Sequence, residues 1–121
     1  MLFKNFVLVA IGGMIGSVLR YLSSVLIKSD HLPYATFVVN ILGSFLIGIV
    51  MGIASRQENF GSWRLFLATG ICGGFTTFSA LAWENLQLLH QQRYGSFVLY
   101  LGMTLVLGLG AVALGYWMTK S

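Results

Sequence analysis

Four apolar runs govern what this chain can become. They extend approximately from Phe3 to Ile27, Pro33 to Ser55, Leu65 to Leu89 and Tyr94 to Thr119, with short polar connections between them. Each run is near or beyond the roughly 20 residues that carry a helix across a bilayer. Lipid offers the backbone no hydrogen bonds, so a span must satisfy its own amides and carbonyls, and uninterrupted runs of this length do so as helices. The expectation is an all-α membrane protein, a single domain over residues 1–121 with four transmembrane helices. Composition agrees, because 57% of the residues are hydrophobic and 8% are charged, whereas about a quarter of a soluble domain is charged. The net charge of +4 belongs with lipid headgroups in such a chain, and no nucleic-acid partner is expected. The first run is too long for the apolar part of a signal peptide, lacks a small-x-small cleavage site and carries Arg20, so it reads as a retained span. The single cysteine, Cys72, reads as a small packing residue.

The third run holds the chain's most unusual stretch, Gly70-Ile-Cys-Gly-Gly-Phe-Thr-Thr-Phe-Ser79, inside a segment from Leu65 to Trp83 without a charge. Glycine costs roughly 1 kcal/mol per position in a helix interior. Thr and Ser offer their own backbone competing hydrogen bonds. The pattern predicts a third helix broken at its centre, and such a break persists at membrane depth only where protein covers it or where it lines a cavity. Exposed carbonyls there suit a hard cation.

The other spans carry isolated polar residues with two readings each. Gly12, Gly16 and Arg20 share one face of the first span. The glycines form a ridge for close backbone approach, and Arg20 is either an interfacial anchor or a positive field at the mouth of an anion path. In the second span Asn40, Ser44, Gly48 and Gly52 recur every fourth residue, a stripe that faces protein. Asn40 is either interhelical glue or an amide donor to an anion. Asp30-His31-Leu32-Pro33 reads as a turn, with Pro33 in the first turn of the second helix. His31 and His90 fall in loops, and Trp63 with Arg64 anchors the start of the third span. Glu84 is the acidic residue deepest in an apolar run, and it keeps open a small proton-coupled multidrug-type antiporter as an alternative function. An enzyme is not expected, because Asp30, Glu58 and Glu84 are too few and too scattered to hold magnesium and a phosphate. Lys4, Arg56, Arg64 and Lys120 lie toward one side and Lys28 and Arg93 toward the other, a bias weak enough to leave fixed and mixed orientation both open.

Three motifs taken together resemble a known family. Gly12-Gly13-x-x-Gly16-x-x-x-Arg20-Tyr21, then Val39-Asn40-x-x-Gly43-Ser44, then Gly70-x-x-Gly73-Gly74-x-Thr76-Thr77-Phe78-Ser79 are similar, in that order, to the Fluc (CrcB) family of bacterial fluoride channels. The resemblance implies passive, fluoride-selective export across the bacterial inner membrane by a multi-pass protein. It also implies an antiparallel, dual-topology homodimer with a structural sodium ion at its centre. Carried over residue by residue, it assigns that sodium to the backbone carbonyls of Gly73 and Thr76. It assigns Asn40 and Phe78 to the anion pathway, with Thr77 and Ser79 as nearby hydroxyls.

Two departures from the family pattern matter. Leu81 stands where a second phenylalanine is common, which leaves an aromatic box around the ion incomplete. In the fourth span Gly108 and Val112 replace expected hydroxyls, and Thr104 remains as the main one. Fluoride is small and strongly hydrated, so a selective path replaces its water with several close donors in a passage too tight for chloride. Asn40, Ser79, Thr104, the positive edge of the Phe78 ring and Arg20 form the expected set.

Overall fold

The structure is a computed structural model that describes residues 2–28 and 33–120. Helix α1 spans Leu2–Leu26 and α2 spans Tyr34–Arg56. The third span opens as α3, Gly61–Arg64, widens into a π-helix over Leu65–Cys72 and closes as α4, Gly73–Phe75. After two extended residues it resumes as α5, Phe78–His90, and α6 follows over Tyr94–Thr119. Four helical stretches, Leu2–Leu26, Tyr34–Arg56, Gly61–His90 and Tyr94–Thr119, are long and apolar enough to cross a membrane. The chain is thus a multi-pass membrane protein. The turn expected at Asp30-His31-Leu32 lies outside the described residues. Pro33 stands just before α2, its carbonyl accepting from the Phe37 amide at 3.1 Å.

The predicted break is real but narrower than its glycine content suggests. Gly70, Gly73 and Gly74 remain helical, and the chain extends only at Thr76 (φ −83°, ψ 156°) and Thr77 (φ −150°, ψ 118°). Packing overrides propensity here, because the glycines meet the backbone of α1. A Cβ on Gly12 would lie 2.8 Å from the Gly70 Cα, one on Gly16 would lie 2.7 Å from the Phe75 nitrogen, and one on Gly74 would lie 2.5 Å from the Gly13 oxygen. Any larger residue would push the two spans apart. The π-helix lies directly along this contact, and π-turns of this kind concentrate near functional sites.

A second glycine seam joins α2 and α6. A Cβ on Gly48 would meet the Val112 carbonyl, and one on Gly115 would lie 2.9 Å from the Ile49 nitrogen. The Thr119 hydroxyl lies 3.0 Å from the Ile49 carbonyl across the seam and 2.9 Å from the Gly115 carbonyl of its own helix. Below the break, Leu81, Leu88 and Tyr100 form a small core with Phe37 and Phe97 against it. Most large apolar side chains of α1 and α6 face outward, as expected of helices bathed in lipid. Between α5 and α6 the chain turns through Gln92, whose φ of 59° is left-handed. The Gln92 amide reaches the Leu89 carbonyl and the Arg93 amide the Leu88 carbonyl, the pattern that closes a helix with a left-handed residue.

Candidate functional site

The two extended residues release backbone groups that a continuous helix would pair internally. In such a helix the Thr77 amide would donate to the Gly73 carbonyl. Here it donates instead to Asn40 Oδ1 at 2.8 Å, while Asn40 Nδ2 donates to the Thr77 carbonyl at 3.2 Å. One side chain from α2 thereby satisfies both polar groups of one peptide residue. Likewise the Ala80 amide donates to Thr77 Oγ1 at 3.1 Å and not to the Thr76 carbonyl, so Thr77 caps α5. On the other flank, Arg20 Nε of α1 donates to the Gly74 carbonyl at 3.2 Å. Asn40, Thr77 and Arg20 therefore build the break as much as they decorate it.

At the break the carbonyls of Gly73 and Thr76, expected to face a cation, each lose their helical donor to a side-chain acceptor, while the Gly74 carbonyl takes Arg20 in compensation. Gly73 is exposed. Oxygen ligands in an apolar setting suit a hard cation, and the residues present fit one. A single chain offers two such carbonyls, fewer than the usual six or more ligands of such ions.

Beside the break lies a cavity of about 360 Å³. It is lined by Asn40, Gly43, Ser44 and Ile47 of α2, by Cys72, Gly73, Thr76 and Thr77 around the break, by Phe78 and Leu81 of α5, and by Thr104 of α6. Seven of the nine residues expected to form the site thus share one cavity. Ser79 and Arg20 do not line it. Ser79 is exposed, with its Oγ 3.3 Å from Thr77 Oγ1. Phe78 is 80% exposed.

The donors available to an anion differ from a simple count of hydroxyls. Thr104 donates to the Tyr100 carbonyl at 2.7 Å and Thr76 donates to the Cys72 carbonyl at 2.9 Å, so each hydroxyl proton is engaged within its own span. A second Nδ2 proton remains on Asn40. Ser44 lines the cavity and makes no side-chain hydrogen bond among the described residues. It belonged to the polar stripe in the sequence, but nothing there distinguished it from a packing residue. Cys72, read as packing, is buried and also lines the cavity.

Glu84 lies outside the cavity. Its Oε2 accepts from Thr36 at 2.9 Å and its Oε1 from Tyr100 at 3.1 Å, which ties α5 to α2 and α6. The periodic signal for Tyr100 was its place one turn before Thr104 on the same helix face. Asn85 also escaped sequence reasoning. It is buried and donates to the Leu81 carbonyl at 2.8 Å.

Comparison with known proteins matches residues 7–116 to the family described as CrcB-like protein, Camphor Resistance (CrcB). A "Fluoride-specific ion channel FluC" from Azobacteroides pseudotrichonymphae is 44% identical over 97% of each chain. Proteins of the same name from Phocaeicola vulgatus and Thermus thermophilus are similar at 45% and 44% identity. They cover 97% of this chain and 99% of the relative, and 93% of both chains, respectively.

Proposed function

Because the chain belongs to the CrcB family, we propose that it is a fluoride-specific ion channel giving passive export of fluoride across the bacterial inner membrane. The observation that carries this reading is the cavity at the break, where three apolar spans bring together Asn40, Ser44, Thr77, Phe78 and Thr104. Relatives bearing the name of a fluoride-specific channel match almost the full chain. No comparison supports the antiporter, and both carboxylate oxygens of Glu84 already accept protein hydrogen bonds. A channel needs no catalytic group, and the chain acts as no enzyme.

The chain's own residues suggest how fluoride would pass. Asn40 is held by the Thr77 backbone with one amide proton to spare, and Ser44 offers a hydroxyl unengaged among the described residues. The positive edge of the Phe78 ring and a Thr77 or Ser79 hydroxyl proton continue the set at the rim. Leu81 and Ile47 supply the apolar wall that keeps bulk water out. Discrimination follows from size, since a passage whose donors close around fluoride is too narrow for chloride. Arg20 adds positive potential near the break.

The working unit in this reading is an antiparallel homodimer of mixed orientation. Phe78, Ser79 and Gly73 are exposed at membrane depth, where lipid cannot satisfy polar groups, and a second copy seated there would cover them. Two-fold symmetry would double the carbonyls of Gly73 and Thr76. Those two residues would hold a structural sodium ion, which supplies fixed positive charge when bound.

Purified protein in liposomes, followed with a fluoride electrode, tests the function. Rapid passive fluoride release with little chloride release is expected. Release that requires a proton gradient, or chloride release at a similar rate, would overturn the channel reading.

A further inference from the structure

We infer that Arg20 is a positioning residue for the break, and that it acts through the directed hydrogen bond of its Nε and not through charge alone. The inference rests on the channel reading for its functional consequence. Its structural basis is the Arg20 Nε donation to the Gly74 carbonyl at 3.2 Å, between α1 and α4. Gly74 is the residue whose carbonyl a continuous helix would give to the Phe78 amide, and Phe78 starts α5. Arg20 therefore occupies the acceptor that would otherwise stay unpaired at membrane depth, where no lipid group replaces the lost bond.

Two features make this contact specific. Gly16, one turn earlier on α1, has its Cα so close to α4 that an added Cβ would lie 2.7 Å from the Phe75 nitrogen. The root of the Arg20 side chain is thus fixed against the segment it holds. The donor is Nε, the nitrogen within the side chain, and not a terminal guanidinium nitrogen. Asn40 grips Thr77 from α2 on the opposite flank of the same break. With both clamps in place, the carbonyls of Gly73 and Thr76 keep a defined direction. With Arg20 released, the segment Gly73–Thr77 loses one of its two side-chain anchors from other helices.

Covalent structure supplies a clean test. Glutamine places its amide nitrogen at the same bond count from the backbone as Arg Nε, without charge. Methionine has the same reach with no donor, and lysine keeps the charge but displaces the donor by one atom. Arg20→Gln, Arg20→Met and Arg20→Lys would be compared with wild type by fluoride efflux from liposomes and by amide hydrogen exchange of the peptide covering residues 73–80. Positioning predicts that Arg20→Met loses roughly tenfold or more in efflux and exchanges at least severalfold faster at the break, on the scale of a lost hydrogen bond to a charged group. Arg20→Gln should retain the slow exchange of wild type and recover most of the efflux lost in Arg20→Met. A purely electrostatic role predicts instead that Gln and Met fall together in efflux while Lys stays near wild type, with break exchange unchanged in all three. That result would overturn the inference. If wild type released no fluoride, the channel reading would fall, and the exchange rates of Gln against Met would still decide the clamp.

Discussion

The seam between α2 and α6 and the contact between α1 and the third span are built from the same material with opposite results. Both bring backbones together through glycine, at Gly48 and Gly115 in one and at Gly12, Gly16 and Gly74 in the other. Along the first seam both helices run unbroken from Tyr34 to Arg56 and from Tyr94 to Thr119. Along the second the span widens into a π-helix and then extends at Thr76 and Thr77. Glycine therefore permits close approach without dictating a break. A break also needs side chains elsewhere that take up the released backbone, and Arg20 and Asn40 do this at only one of the two contacts.

Substitutions of matched chemistry at the two contacts would break this comparison if it is wrong. The largest effects should come from filling either glycine contact. Gly16→Leu and Gly115→Leu each drive a side chain into facing backbone, and each should destabilise the protein by about 3 kcal/mol or more, beyond ordinary overpacking of a deformable core. Gly13→Ala should be nearly silent, since an added Cβ there meets nothing within 4 Å. Thermal unfolding in detergent separates these cases, and equal melting for all three would remove close approach from the account.

Asn40→Asp should come next, and here the two contacts part. The carboxylate still accepts from the Thr77 amide but can no longer donate to the Thr77 carbonyl, and it places a negative charge in the proposed anion path. Fluoride efflux should fall by roughly a hundredfold while the proposed dimer still assembles. Normal efflux would take Asn40 out of the pathway. Its counterpart at the unbroken seam, Thr119→Val, should lower stability by about 1 kcal/mol and leave efflux per folded channel unchanged. A loss of fluoride selectivity in that variant would mean the seam does more than pack.

Ser44→Ala sharpens the point about engaged and unengaged hydroxyls. It should reduce efflux severalfold with melting unchanged, whereas Thr104→Val should lose less, because that hydroxyl proton already serves the Tyr100 carbonyl. The reverse ranking would show that hydroxyls reorient freely during passage. The smallest effect lies away from both contacts. Gln92→Gly relieves a left-handed residue and should stabilise the protein by about 1 kcal/mol without altering efflux.

Much of this architecture was legible in residue order alone. Apolar run length located four spans to within a few residues, except that the third begins at Gly61, ahead of the apolar run, because Trp63 and Arg64 continue the helix into the headgroup region. The stretch from Gly70 to Ser79 located the break, and its motifs pointed to the cavity. Less legible was which of its residues would extend. Glycines suggested the centre of the break, yet they lie in helix, and the threonines that follow carry it.

Local chemistry along the chain was enough to establish membrane spans, a glycine-rich interruption and a supply of amide and hydroxyl groups, because bilayer thickness and backbone hydrogen bonding act on consecutive residues. The partners of those groups depend on residues distant in the chain. That the Asn40 amide pairs with the Thr77 backbone, that Arg20 reaches the Gly74 carbonyl and that Thr104 is engaged while Ser44 makes no side-chain hydrogen bond among the described residues all follow from how α1, α2 and α6 pack around the third span. Hydrogen bonds are short and directional, so helix placement within an ångström or so selects which donor meets which acceptor, and no periodicity in the sequence carries that information.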